Sequence, residues 1–393
     1  MSVHVVLVSD QVLQNLIPVL MERPQRVFLI ITAEMARRRA DQRLRRQLRQ
    51  AGAELTECSD CPDADFTRIQ TFAQQVAEQV LNAGADADIV LNATGGNKLM
   101  SIAFVEAFRG LASRILYTDT AHRRIEYLPA VQELQAPAPT PMTDVLDVPG
   151  YLRAQGFQFR AAASDAAEWQ QRAEARKAAC KFLGKHIGDA QLQQFVGALN
   201  ALADKALERS PDRREERLAA PVQSFSRPPR GRWGEAMDAL TQADVLDWTT
   251  GSEYLRFRDA DAAQFARGGW LEEYAYHIVH DAGVHDARLG VTGVWDNQQA
   301  MTNELDVLAC HLNQLLFIEC KTLRYRDEND NAIAYKLDSL GEDARGLFGS
   351  TWLLSAREPT DTLIARARRA RIRLVPPAEL QRLRELVREW RGA

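Results

Sequence analysis

Asn303–Thr322, NELDVLACHLNQLLFIECKT, is the stretch from which the C-terminal part of the chain is read. Glu304-Leu305-Asp306-Val307-Leu308 alternates polar and apolar residues, the period of a half-buried strand. After a short turn through Asn313, the run from Leu315 to Lys321 is apolar enough for a central strand, yet it ends on charge. Glu319 and Lys321 are two apart and project from one face, while Ile318 and Cys320 face the other. A hairpin of the two runs sets Asp306 beside Glu319. Two carboxylates and a backbone carbonyl, that of Cys320, are the hard oxygen ligands that Mg²⁺ or Mn²⁺ takes, with water completing the octahedron. Lys321 is then placed to orient an attacking water and to offset charge developing on a phosphate. Solvated charge at a strand end is the plainer explanation, and Glu304 alone receives it. For Asp306, Glu319 and Lys321 together, charge on an otherwise apolar strand costs free energy that only its use offsets.

An Asp on one strand and Glu-x-Lys on the next resemble the PD-(D/E)xK nuclease core, with Glu304-Leu305-Asp306 where the family name has Pro-Asp. The resemblance implies a restriction-endonuclease-like α/β core with a further acid on a preceding helix. Gly268-Gly269-Trp270-Leu271-Glu272-Glu273-Tyr274 opens such a helix, and by its spacing from Gly269 Glu272 matches that acid better than Glu273. It follows from the resemblance that Glu272, Asp306, Glu319 and Lys321 are catalytic. The metal ligands it implies are Glu272, Asp306, Glu319 and the Cys320 carbonyl. Lys336, on the expected helix from Tyr335 to Leu340, faces either the scissile phosphate or solvent. His277 and His280, with Glu273 one turn earlier, share a helix face, but no fourth ligand announces itself and a polar face outweighs a zinc site.

From Val3 to about Pro129 short apolar runs alternate with amphipathic segments. Val3 to Val8, Arg26 to Thr32, Ala53 to Thr56, Asp88 to Ala93 and Arg114 to Thr118 read as strands, several continuously apolar as parallel strands buried on both faces are. Phe66, Ile69, Phe72, Val76 and Val80 recur at helical spacing between them. The alternation predicts a doubly wound α/β domain, whose ligands bind beyond the carboxyl ends of the strands. Thr94-Gly95-Gly96-Asn97-Lys98 lies at such an end, between a strand and a helix, so backbone N–H groups and a helix N-terminus approach an anion there. It is neither a Walker A loop nor a dinucleotide fingerprint. Ser9-Asp10 after the first strand and Thr32 after the second share that edge, although small polar residues also cap helices.

A Rossmann-like domain with a T-G-G-N-K loop is similar to the CARF domains of CRISPR-associated effectors. Joined to a PD-(D/E)xK core, it resembles the CARF nucleases of type III CRISPR systems that cyclic tetra-adenylate activates. The resemblance implies a homodimer that binds a cyclic oligoadenylate through Ser9, Asp10, Thr32, Thr94, Gly95, Gly96, Asn97 and Lys98. It also implies metal-dependent cleavage of DNA, RNA or both in antiviral defence. A rival of another class is a ligand-sensing transcription regulator whose nuclease-like part is structural. A third reading is a restriction-type nuclease without a switch.

The expected division is a sensing domain over 1–136, a linker and helical, winged-helix-like connector over 137–265, and a nuclease domain over 266–393. Pro129, Pro137, Pro139, Pro141 and Pro149 mark the linker. Ala161 to Leu207 is strongly helical, and a Pro- and Arg-rich break precedes a further helix from Trp233. Arginine runs at Arg37–Arg49 and Arg366–Arg391 are a solvated helix face in the first case, and either that or phosphate contacts in the second. A net charge of −4 excludes a uniformly basic coat, so nucleic acid must be met by a local patch. Five cysteines, an odd number in a chain this long, point to reduced thiols in a cytoplasm, with Cys58-Ser59-Asp60-Cys61 as two inert thiols in a loop. No signal peptide and no membrane-spanning run are expected.

Overall fold

A computed structural model describes residues 2–83, 87–129, 135–209, 216–296, 302–322 and 346–392. The valine-rich β1 (Ser2–Leu7) is the centre of a seven-stranded sheet with β2 (Arg26–Ile30), β3 (Glu54–Cys58), β4 (Asp88–Asn92), β5 (Arg114–Asp119), β6 (Arg124–Tyr127) and β7 (Thr140–Pro141). The order is β3-β2-β1-β4-β5-β6-β7, with the first five parallel and β6 and β7 antiparallel. Val3, Val5 and Leu7 pack under the helices Phe66–Ala83 and Lys98–Phe108, while Val6 packs on the other face against Val12–Glu22 and Ala40–Gln50. Burial on both faces is why the run is continuously apolar. The strand order reverses between β1 and β4, so the loops after these strands part and leave a crevice.

Three helices, Ala167–His186, Ala190–Ala206 and Arg232–Gln242, follow, with a hairpin of β9 (Leu207–Arg209) and β10 (Glu216–Leu218). They pack with a small antiparallel sheet of β11 (Val222–Ser224), β12 (Leu246–Trp248) and β13 (Tyr254–Phe257), in the order β11-β13-β12. Three helices and such a sheet are the ingredients of a winged helix.

The second large sheet contains β14 (Asp286–Trp295), β15 (Asn303–His311), β16 (Gln314–Lys321), β17 (Gly349–Ser355) and β18 (Ile372–Val375). Its far edge is β8 (Phe157–Ala162), supplied from the stretch expected to be connector. β8, β14, β15 and β16 run antiparallel to their neighbours, and β16, β17 and β18 run parallel. β8 enters the sheet because Phe157 is fully buried and stacks edge-on against Trp295 at 5.0 Å.

The two large sheets share one core. The helix Val148–Gln155 buries Val148, Tyr151 and Leu152 against residues of both, among them Val6 and Leu44 on one side and Leu308 and Phe317 on the other. Asn313, in the turn between β15 and β16, accepts the N–H groups of Val145 and Leu146 at 3.0 and 3.2 Å and donates to the Thr143 carbonyl at 2.7 Å. Its left-handed φ of 57° suits Asn better than a branched residue.

Gly95 sits where β4 meets the next helix, and a Cβ there would lie 1.8 Å from the Leu7 carbonyl oxygen. Gly95→Ala should therefore cost about 3 kcal/mol of stability, because backbone must move. Gly110→Ala, whose Cβ meets nothing within 4 Å, should stay within about 0.5 kcal/mol. Denaturant melts of the two variants check this.

Candidate active site

The β15–β16 hairpin brings the expected acids together by its register. Val307 faces Ile318, so Asp306 and Glu319 are the next pair along, and the Asp306 carboxylate accepts the Cys320 N–H at 2.8 Å. Glu319 is 1 % exposed, and Lys321 Nζ donates to its Oε1 at 2.6 Å. Burial alone would lower the Lys321 pKa, but the Glu319 and Asp306 carboxylates outweigh it and hold the ammonium above its usual range. Lys321 is therefore a fixed positive charge rather than a base.

The helix Trp270–Asp281 delivers the third acid. It is entered through a π-turn, Phe265–Gly269, and a Cβ on Gly268 would lie 2.6 Å from Thr322 Oγ1. The glycine thus lets the start of the helix approach the end of β16. Burial pushes the Glu272 carboxyl well above its usual 4.5, and the Asp306, Glu304 and Glu319 carboxylates push it further, with Lys321 offsetting part. Glu273, one residue on, borders the same cleft as Glu272 but has a different partner. It is buried, its Oε1 accepts from Arg176 at 3.1 Å, and burial pushes it up to about 7 against that pairing. Of the two helical acids, Glu272 is the one that senses Asp306 and Glu319.

Glu272 and Glu304 line one open cleft of about 870 Å³ together with Cys320 and Thr322. Glu304 is exposed, as a solvated strand-start charge would be, and it shares its strand face with Asp306, two residues away. That spacing was the signal available for it. Asp306 and Glu319 lie outside the lining of this cleft, and among the described residues the oxygens of Glu272, Asp306 and Glu319 do not all come within 4.8 Å of one another. Carboxylates are nonetheless the hard-oxygen donors that Mg²⁺ or Mn²⁺ takes. Lys336 lies outside the described residues. His280 is exposed beside Asp281, whereas His277 is buried and Nε2 lies 3.0 Å from the Ala173 carbonyl, so the two do not meet with Glu273 on one face.

At the switch point of the first sheet, Ser9, Asp10, Thr32, Gly96 and Asn97 line a cleft of about 400 Å³ with Gln11, Glu34 and Asp63. Thr94, Gly95 and Lys98 are outside its lining. The Thr94 hydroxyl accepts the Thr118 N–H at 2.8 Å, and Lys98 is the exposed first residue of its helix. Asn97 caps that helix by accepting from Met100 at 3.0 Å and donates to the Asp63 carbonyl at 2.7 Å, while Thr32 caps the helix Ala33–Arg37. Arg38 bonds to Asp10 at 2.5 Å and to Glu34 at 2.6 Å, so part of the first arginine run reaches this cleft. Cys58 and Cys61 are both buried, and burial pushes their thiols to about 11 and about 12. In the second run, Arg391 is occupied by the Ala282 carbonyl.

A doubly wound domain with a cleft at its switch point, joined to a mixed sheet whose central strands end on carboxylates and a lysine, defines a nuclease fused to a sensing domain. The chain joins a Card1 CARF domain, matched over residues 3–151, to a Card1-like endonuclease domain, matched over residues 259–393. The structure is similar to that of protein VC1899 from Vibrio cholerae, with a TM-score of 0.80, 22% identity, and coverage of 100% of this chain and 98% of that one. Can2 from Sulfobacillus thermosulfidooxidans, solved in complex with cyclic tetra-adenylate, aligns over 100% of both chains with a TM-score of 0.72 and 25% identity. A type III CRISPR defence DNA nuclease activated by cyclic oligoadenylate shares the fold over 91% of this chain and 46% of its own, with a TM-score of 0.56 and 19% identity. No curated protein matches the sequence. No helix among the described residues is long and apolar enough to cross a membrane.

A folded-state carboxyl held above its unfolded value binds its proton more tightly in the native protein, so stability falls as pH rises above about 4.5 and Glu272 ionises. Glu273, raised to about 7, acts in the same direction. In EDTA the melting temperature should decline from about pH 5 to about pH 8, and Glu272→Gln should flatten part of that decline. Saturating Mn²⁺ should restore about 2.7 kcal/mol at a hundredfold excess over its dissociation constant, and only in the parent protein to that extent.

Proposed function

We propose that this chain is a CRISPR-associated, metal-dependent nuclease of the cytoplasm, switched on by cyclic tetra-adenylate in antiviral defence and cutting DNA, RNA or both. One observation carries the reading: full-length similarity in both directions to Can2, solved with cyclic tetra-adenylate, in a chain whose central hairpin bonds the Asp306 carboxylate to the Cys320 N–H beside Glu319. Mg²⁺ or Mn²⁺ would be held by Glu272, Asp306, Glu319 and the Cys320 carbonyl, and when bound it supplies Lewis-acid chemistry at a phosphodiester. Lys321, kept charged by its two carboxylate neighbours, orients the attacking water and offsets charge on the phosphate. Asp306 is itself oriented by the Cys320 N–H. A ligand-sensing regulator would leave this acid, acid and lysine set without work.

On the sensing side, the cleft at the switch point takes the activator through Ser9, Asp10, Thr32 and the loop from Thr94 to Lys98. Arg38 offsets part of the charge of Asp10 and Glu34 at this cleft. The helix Lys98–Phe108 leaves Leu99 43 % and Ile102 51 % exposed beside this edge, and these apolar side chains suit a second copy of the chain. In the homodimer the activator acts by population shift, favouring the arrangement in which substrate enters.

Labelled single-stranded RNA, single-stranded DNA and supercoiled plasmid, incubated with Mn²⁺ or Mg²⁺, should be cut only when cyclic tetra-adenylate is added. Lys321→Ala should lower cleavage at least about a hundredfold while leaving activator binding intact. Lys98→Ala should instead raise the activator concentration needed for half-maximal cutting. Activator-independent cutting would favour the restriction-type reading, and cutting retained by Lys321→Ala would remove the lysine from the site.

A further inference from the structure

The helix that carries Glu272 has a second polar side, and the chemistry there is softer. Glu273 and His277 lie one turn apart on Trp270–Asp281, and Cys180 reaches them from the facing helix Ala167–His186. All three are buried, and a ligand atom from each lies within 4.8 Å of the other two. Tetrahedral zinc sites place their ligand atoms about 3.5 Å apart, so a contraction on the order of 1 Å would close the set. The helices are held at close range, because a Cβ on Gly184 would lie 2.4 Å from the Tyr274 ring and the glycine leaves that space open.

We propose that Cys180, Glu273 and His277 form a second metal centre, with a ligand set different from that of the neighbouring carboxylate site, that takes a borderline divalent ion of the zinc class. The ligand set is right for such an ion and wrong for Mg²⁺, since thiolate and imidazole prefer zinc or cobalt. Each partner leaves its ligand atom available. The Ala173 carbonyl, 3.0 Å from His277 Nε2, only accepts, so the ring proton sits there and Nδ1 carries the lone pair a metal needs. Arg176 occupies Glu273 Oε1, and Oε2 is left facing Cys180 Sγ at 3.8 Å. Charge also balances. A thiolate and a carboxylate neutralise a divalent ion, while Arg176 keeps Asp261 as its own counter-ion. Binding displaces the thiol proton into solvent and replaces a long thiol–carboxylate contact by two metal bonds.

The consequence concerns the nuclease. Glu273 is bonded to the residue that carries the third acid, so an ion clamping it to Cys180 fixes the rotation of the helix that presents Glu272. The centre would be a structural brace between the connector helices and the site, with no place in the reaction itself.

The test uses the full-length protein with any affinity tag removed. Elemental analysis after exhaustive dialysis should return one zinc per chain. Co²⁺ added to protein stripped of metal should give a thiolate-to-cobalt charge-transfer band in the near ultraviolet. Cys180→Ser should abolish the band and lower the zinc content at least tenfold, whereas Asp306→Asn and the pair Cys58→Ser, Cys61→Ser should leave both unchanged. Circular dichroism monitors folding, and if Cys180→Ser is unfolded, His277→Gln takes the same measurements. Absence of stoichiometric zinc together with no cobalt band in the parent protein would overturn the proposal, as would a band that survives Cys180→Ser.

Discussion

The contact on which the site depends is the one between the Lys321 ammonium and the buried Glu319 carboxylate at the end of β16, 2.6 Å long. A carboxylate at 1 % exposure is tolerated only when a charge and hydrogen bonds answer it. Lys321 supplies the charge, and the strand supplies the geometry because β16 lies between an antiparallel partner, β15, and a parallel one, β17. Bonded on both sides, it cannot relax away from the cluster. Asp306 is then fixed from the backbone by Cys320 rather than by a side chain that might swing. The arrangement holds negative charge in place before any ion arrives, which is what a preorganised site requires.

That strand end is not isolated from the sensing domain. The helix Val148–Gln155 buries one set of side chains against the first sheet and another against the second, so no solvent layer separates the two halves. Asn313 ties the β15–β16 turn to residues 143–146, and Arg123, beside β6, donates to the last carbonyls of the C-terminal helix Leu383–Arg391. Both ties act on elements that abut the nuclease sheet. A shift of the first sheet is therefore carried by packed side chains and by hydrogen bonds with fixed partners, the material from which two discrete arrangements are made.

Much of this was legible because the signals are short-range. The alternation of Glu304–Leu308 and the Glu-x-Lys spacing fix faces two residues apart, and the hairpin register follows from a turn at Asn313. Tertiary choices were not legible in the same way. Glu272 and Glu273 differ by about 100° around a helix, and only the position of Arg176 on another helix decides which faces inward. Gly95 reads from sequence as a glycine of a ligand-binding loop, and its close approach to the Leu7 carbonyl at the end of β1 is a tertiary constraint that the sequence does not display. Arg38 looked like one of a solvated run, since nothing in sequence brings it to Asp10, 28 residues away. β8 was hidden because its pairing partner, β14, lies more than a hundred residues downstream.

The two adjacent acids on the helix Trp270–Asp281 are both raised by burial but have different charged neighbours. Glu272 lies where the Asp306, Glu304 and Glu319 carboxylates raise its carboxyl, and it lines the open cleft together with Glu273. Glu273 must not move, so it is buried and bonded to Arg176, which in turn bonds Asp261 at the start of the π-turned entry. Any rotation of the helix that improved the first environment would break the second, because the two side chains are rigidly offset. The Arg176 contact thereby bears on the position of Glu272 without touching it.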